Sequence, residues 1–164
     1  MITRFLHILF LSLTFTGLGY AQATANFTAT ATIIQPITIS TTSQMNFANI
    51  DAKNGGEVIL TPESTRYTSG EVELDDASNV AAASFTVSGQ KGYTYGITLP
   101  KIDHVLTNGK EEMIIKNFTT DLNSGSLADG SQTFRVGATL KVNPNQQPGI
   151  YVTPGSLNVT VNYN

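Results

Sequence analysis

The chain has 164 residues, no cysteine, 13% charged residues and a formal net charge of −3. That length suits one ordinary domain, and the lack of cysteine excludes disulfides, thiolate metal sites, thiol nucleophiles and a lipid-carrying cysteine. The mild acidity lacks the basic stripe that phosphate backbones or anionic membranes require, so no nucleic-acid partner is expected.

Residues 1–21 have the layout of a secretory signal. Arg4 supplies an early charge, residues 5–18 are nearly all apolar, and small residues follow. Cleavage is expected after Ala21, with Ala23 the alternative, because both sites fit the small-x-small rule. The apolar run is shorter than the roughly 20 residues of a membrane span, and no second run of that kind follows. The expected product is exported to the periplasm, cell surface or medium, with no integral span after cleavage. Residues 22–164 are then one β domain.

Taken in order, that domain reads as strands and turns. Phe27, Ala29, Ala31 and Ile33 alternate with Asn26, Thr28, Thr30 and Thr32, the period of a half-buried strand, and Pro36 then marks an end or an edge. Asn54-Gly55-Gly56 predicts a hairpin turn. Weaker alternation runs through Ala81, Ala83, Phe85 and Val87, then Tyr93, Tyr95, Ile97 and Leu99. Met113-Ile114-Ile115 predicts a strand buried on both sides, and polar residues 117–131 predict a long surface loop. Phe134, Val136, Ala138, Leu140 and Val142 predict a core face, with Arg135, Gly137, Thr139 and Lys141 in water. Leu157, Val159, Val161 and Tyr163 repeat the pattern. Threonine is frequent, no window carries a helical stripe, and Ser-Gly, Asn-Gly, Asp-Gly and Pro-Gly pairs punctuate the runs. Short strands at this spacing describe an all-β antiparallel sandwich, with a closed barrel as the alternative.

Catalytic signals are sparse. His104 beside Asp103 would need Ser84, Ser88 or Ser131 as nucleophile, without a Gly-x-Ser-x-Gly elbow. Glu71, Glu73 and Asp75 share a strand face and adjoin Asp76, a possible calcium cluster or simply a solvated face opposite Val72 and Leu74. Glu111 and Glu112 point to opposite faces if extended, unlike a paired acid and base. Tyr67, Tyr93, Tyr95, Tyr151 and Tyr163 could stack on sugars or simply pack, and Tyr93 and Tyr151 are the candidate ligand surface. No cofactor or metal is expected, and no enzymatic activity.

Phe85-Thr86-Val87-Ser88-Gly89, the run from Tyr93 to Leu99-Pro100, the run from Phe134 to Val142, Gln147-Pro148-Gly149-Ile150-Tyr151 and Val159-Thr160-Val161-Asn162-Tyr163 together resemble the bacterial family known as domain of unknown function 4402. Phe47, Gly55-Gly56 and Val58 are also similar to it, and Val152-Thr153-Pro154-Gly155-Ser156 is a longer connection than such proteins usually have. The resemblance implies an exported immunoglobulin-like domain, distantly similar to spore coat protein U and fimbrial pilin subunits, and carries no catalytic residues. The expected role is a structural or adhesive envelope component, a fimbria-like subunit whose partners are like subunits or other envelope proteins. Residues 24–34 would then be either a strand of the chain's own sheet or a donor strand inserting Phe27, Ala29, Ala31 and Ile33 into a neighbour. The alternative role is a self-contained secreted module that binds glycan or another ligand.

Overall fold

The computed structural model describes residues 21–75 and 79–164. The expected signal, apart from Ala21, lies outside the described residues, as does Asp76. Ile34–Asn164 forms one compact unit and the residues before it another. In the latter, residues 21–33 carry no strand and are exposed throughout.

Among the described residues the compact unit is all-β, with no helix. Its strands are β1 (Thr38–Ser43), β2 (Ile50–Asp51), β3 (Gly56–Leu60), β4 (Arg66–Gly70), β5 (Glu73–Leu74), β6 (Ala83–Ser88), β7 (Thr94–Thr98), β8 (His104–Thr107), β9 (Glu112–Thr120), β10 (Ser124–Ser126), β11 (Ser131–Val142) and β12 (Thr160–Tyr163). Every pairing is antiparallel: a seven-stranded sheet, a three-stranded sheet β10-β7-β12 and a two-stranded β2-β5.

The twelve residues of β11 organise the large sheet. Val136 pairs with Ala83 of β6 and also with Thr120 of β9, so those two strands flank β11 on opposite edges. On the β6 edge, β3 takes over from Ala138 onward. Strands β6 and β3 therefore meet in line at Gly137. On the other edge, the pairing steps from Gly137↔Thr119 to Thr139↔Lys116, a bulge that places two β9 residues opposite one, with Asn117 at φ 50°.

Two apolar clusters fill the unit. One gathers Phe47, Val58, Leu60, Met113, Ile115 and Leu140. The other joins Val87, Phe134 and Val136 of the large sheet to Tyr95 and Val161 of the three-stranded sheet. Each fully buried side chain of this size is worth about 1.5–3 kcal/mol of transfer free energy.

Several expectations are corrected. Residues 117–131 are not a surface loop, because the end of β9, all of β10 and the start of β11 lie within them and Leu127 is fully buried. Glycine permits this: a Cβ on Gly125 would collide with the Tyr95 ring and Gln132 Oε1, so only a bare backbone passes there. Gly137 and Thr139 are buried rather than wet, since β11 has partners on both edges and Leu60 and Thr61 lie against Gly137. Ile114 is exposed between buried Met113 and Ile115, so that run is one-faced. Asn54-Gly55-Gly56 does turn, through Gly55 N–H donating to Ala52 O. It is not a hairpin, because β2 pairs with β5 while β3 pairs with β4 and β11. A true hairpin is β8–β9: Gly109 adopts φ 87°, and Asn108 Oδ1 accepts from the Lys110 and Glu111 amides at 2.9 and 2.8 Å.

Candidate functional site

No charged residue occurs between Arg4 and Asp51, and residues 24–34 hold threonine, alanine, asparagine, phenylalanine and isoleucine only. Phe27 is 92% exposed and Ile33 98%, which leaves apolar surface in water. Ala29 and Ala31 are exposed as well. Where the compact unit begins, the chain is held: Tyr163 Oη donates to Gln35 O at 2.8 Å and accepts from the Gln90 amide at 2.6 Å, and the Gln35 amide donates to Gln90 Oε1. The strand that follows, β1, pairs only with β6 among the described residues, and β12 only with β7. Neither carries a charged residue, although sheet edges are commonly guarded by lysine or other charges.

A groove of about 1110 Å³ opens elsewhere on the unit. Leu106 of β8, Met113 of β9 and Leu140 and Val142 of β11 supply its apolar floor. One wall is residues 45–53, the other residues 145–151. Both walls are braced. Arg66 donates to the carbonyls of Phe47 and Asn49 at 2.6 and 3.1 Å, and Asn46 forms a two-bond bridge with Ala81. Opposite, Glu111 Oε2 accepts from Gln146 Nε2 and the Gln147 amide, while Tyr151 Oη donates to Gln147 O and accepts from Gln146 Nε2. The walls join where the Asn145 amide donates to Lys53 O at 2.8 Å.

The charged groups lining the groove are Asp51 and Lys53, 3.0 Å apart. Their hydrogen bond holds the Asp51 carboxyl below and the Lys53 ammonium above the ordinary value, and Glu73, 3.4 Å from Lys53 Nζ, also favours the charged ammonium. The rim of the groove is rich in amides, including Asn46, Asn145 and Gln147.

The candidate tyrosines are not brought onto one platform. Tyr151 packs against the first core cluster and lines the groove, whereas Tyr93 meets Tyr163 edge-on at 5.4 Å, beside the second cluster. Tyr95 is fully buried, with its hydroxyl donating to Gln132 Oε1 at 3.1 Å. Burial, reinforced by the Asp121 charge, raises this phenol above its ordinary value. The unfolded phenol ionises first, so the folded state keeps its full advantage below about pH 10 and loses it as pH rises from there through the raised folded value. Tyr95→Phe is expected to cost about 0.5–1.5 kcal/mol near neutrality through the lost hydrogen bond. It should also flatten the loss of stability as pH rises above about 10, which melting against pH with phenolate absorbance checks.

The carboxylates at 71–75 face separate partners: Glu71 accepts from Asn54 Nδ2, Glu73 is 3.4 Å from Lys53 Nζ, and Asp75 accepts from Asn49 Nδ2. Among the described residues no group of three or more such side chains is placed to hold a metal ion. His104 lies on β8 with its ring 6.0 Å from Phe118. Strands β9 and β11 separate it from Ser84 and Ser88 on β6, roughly 14 Å at about 4.8 Å per strand.

Sequence reasoning missed the groove, because its floor and walls come from three distant stretches, residues 45–53, 106–113 and 140–151. One signal was present. Ile150 and Val152 alternate with Tyr151 and Thr153, and they are 86% and 58% exposed, so one apolar edge of that segment lies open. Among the described residues no helix is long and apolar enough to cross a membrane.

No curated protein and no solved structure matches this chain. A family model does match, described as a domain of unknown function, DUF4402, over residues 37–163. That span begins one residue before β1 and ends on the last residue of β12, so it takes in the whole strand framework, and the chain belongs to the DUF4402 family.

Proposed function

We propose that this chain is an exported, non-enzymatic structural or adhesive component of the bacterial envelope, a fimbria-like subunit that assembles by strand pairing through residues 24–34. The observation that carries this reading is the exposed, uncharged segment of period two, with Phe27 and Ile33 almost wholly in water. An extended segment of this kind gains main-chain hydrogen bonds by adding to a sheet, and buries alternate side chains as it does so. Strands β1 and β12, each paired with one neighbour among the described residues, carry no charge that would guard a sheet edge.

Sedimentation and melting of a chain beginning at Gln22, compared with one beginning at Gln35, test it. The longer chain is expected to assemble as its concentration rises, with a melting temperature that rises in step. The shorter chain stays monomeric, and a peptide of residues 24–34 raises its melting temperature. A longer chain that is monomeric at every concentration, with a peptide that has no effect on the shorter one, overturns the reading. The amide-rich rim of the groove favours a second reading, a secreted module that binds glycan or another ligand.

A further inference from the structure

We infer that the groove floored by Leu106, Met113, Leu140 and Val142 is the acceptor for residues 24–34 of a second copy of this chain, with Phe27 seated against the floor and Ile150 at the mouth. The inference rests on the strand-pairing reading above and names its receiving surface.

Three observations converge on this occupant. The charged side chains lining the groove, Asp51 and Lys53, are paired with each other, Lys53 also lying 3.4 Å from Glu73, so no cation is left unpaired, and residues 24–34 carry no charge. Neither a charged peptide nor an anionic polymer would be favoured over this segment, because burying an unpaired charge is costly. The groove has an apolar floor and an amide rim, while the segment has one face of Phe27, Ala29, Ala31 and Ile33 and one face of Asn26 and threonines. Laid in the groove, the first face meets the floor and the second keeps amide or water partners.

Size and rigidity agree. At about 1110 Å³ the groove has room for several side chains of an extended segment. Its walls are already braced through Arg66, Glu111 and the Asn145–Lys53 bond, so docking would not have to order them.

The mouth also offers main-chain groups. Val152 exchanges both backbone hydrogen bonds with Thr107 of β8. In extended chain successive residues direct their amide and carbonyl to opposite sides, so those of Tyr151 point away from β8.

The absence of native cysteine allows a direct test with the full chain as the cell processes it. One preparation carries Ala29→Cys. It is mixed in turn with preparations carrying Ile150→Cys at the groove mouth, Ser40→Cys on β1 or Asn162→Cys on β12, all at exposed positions. The mixtures are oxidised and mixed dimers are measured on non-reducing gels. The expected result is a mixed dimer with Ile150→Cys formed about tenfold or more in excess of the other two, because docking raises the effective local thiol concentration.

Preferential cross-linking to Ser40→Cys or Asn162→Cys overturns the groove as acceptor and leaves strand pairing standing. Absence of all three, in a chain that sediments as a monomer, overturns both. A double variant, Ala29→Cys with Ile150→Cys in one chain, that closes on itself at high dilution while the mixture gives no dimer shows the segment to serve its own copy. That too overturns the proposal, as does binding of maltohexaose to the groove with no cross-link from Ala29→Cys.

Discussion

Replacing Phe134 with alanine is expected to lower stability by about 3–5 kcal/mol, the range for removing a buried aromatic ring. Phe134 is completely buried on β11 and stacks on Phe85, the residue directly opposite on β6, at 5.4 Å between ring centres. It belongs to the buried cluster that also holds Tyr95 and Val161, so it contributes to the core shared by the large sheet and the three-stranded sheet. Alanine leaves a cavity that β-sheet backbones on both sides cannot collapse into, and it ends an aromatic pairing worth about 0.5–1.5 kcal/mol within that total. At about 3–5 °C per kcal/mol for a unit of this size, melting falls by roughly 10–20 °C.

Phe134→Leu refills most of the volume and is expected to cost about 1–2 kcal/mol. Thermal melting monitored by circular dichroism, at one fixed protein concentration, separates the two variants. A loss below about 1 kcal/mol for the alanine variant would mean that the two sheets do not share this ring as their common core.

What the residues disclosed in advance was the period-two alternation wherever one face of a strand meets core and the other meets water. Burial along β9 follows it, with Met113 and Ile115 in and Glu112 and Ile114 out, and so does the tail from Leu157 to Tyr163. Alternation fails as a guide where a strand is enclosed on several sides. On β11 the five consecutive residues from Val136 to Leu140 are buried, because β9, β6 and β3 crowd both edges there.

Composition misleads in a second way. Residues 117–131 are rich in serine, glycine and aspartate, the usual signature of a loop. Gly125 is there because Tyr95 occupies the space its side chain would need, and Asp121 because its carboxylate accepts from the Arg135 amide at 2.8 Å. The groove was illegible for a different reason: Ile50, Met113 and Tyr151 come from segments far apart in sequence, and it takes the registers of β8, β9 and β11, the Thr107–Val152 bridge and the Arg66 bonds to residues 47 and 49 to bring them together. The N-terminal segment has the period of a half-buried strand, yet residues 21–33 carry no strand and are exposed, because alternation supplies a strand's side chains but not the sheet edge that pairs with it.

Gly137 is where this enclosure is tightest, and Gly137→Ala is expected to destabilise the chain by at least the upper end of the about 1–3 kcal/mol typical of overpacking. A single methyl is usually tolerated in a strand, where alanine is if anything favoured over glycine by the entropy of the unfolded chain. Here a Cβ would run into the Leu60 carbonyl oxygen and come within 2.8 Å of the Thr61 carbonyl carbon. Those are backbone atoms at the point where β3 ends against β11, so no rotamer change relieves the clash. Either β3 moves away, loosening the Ala138↔Leu60 and Thr139↔Ile59 pairs, or β11 shifts and disturbs the bulge opposite Asn117.

Gly155→Ala is the control, because a Cβ at that position meets nothing within 4 Å; its effect should stay within about 0.5 kcal/mol. Amide hydrogen exchange locates the damage. Faster exchange confined to β3 and the adjoining half of β11 is the expected pattern, and a variant as stable as the parent would show that β6 and β3 do not meet at Gly137.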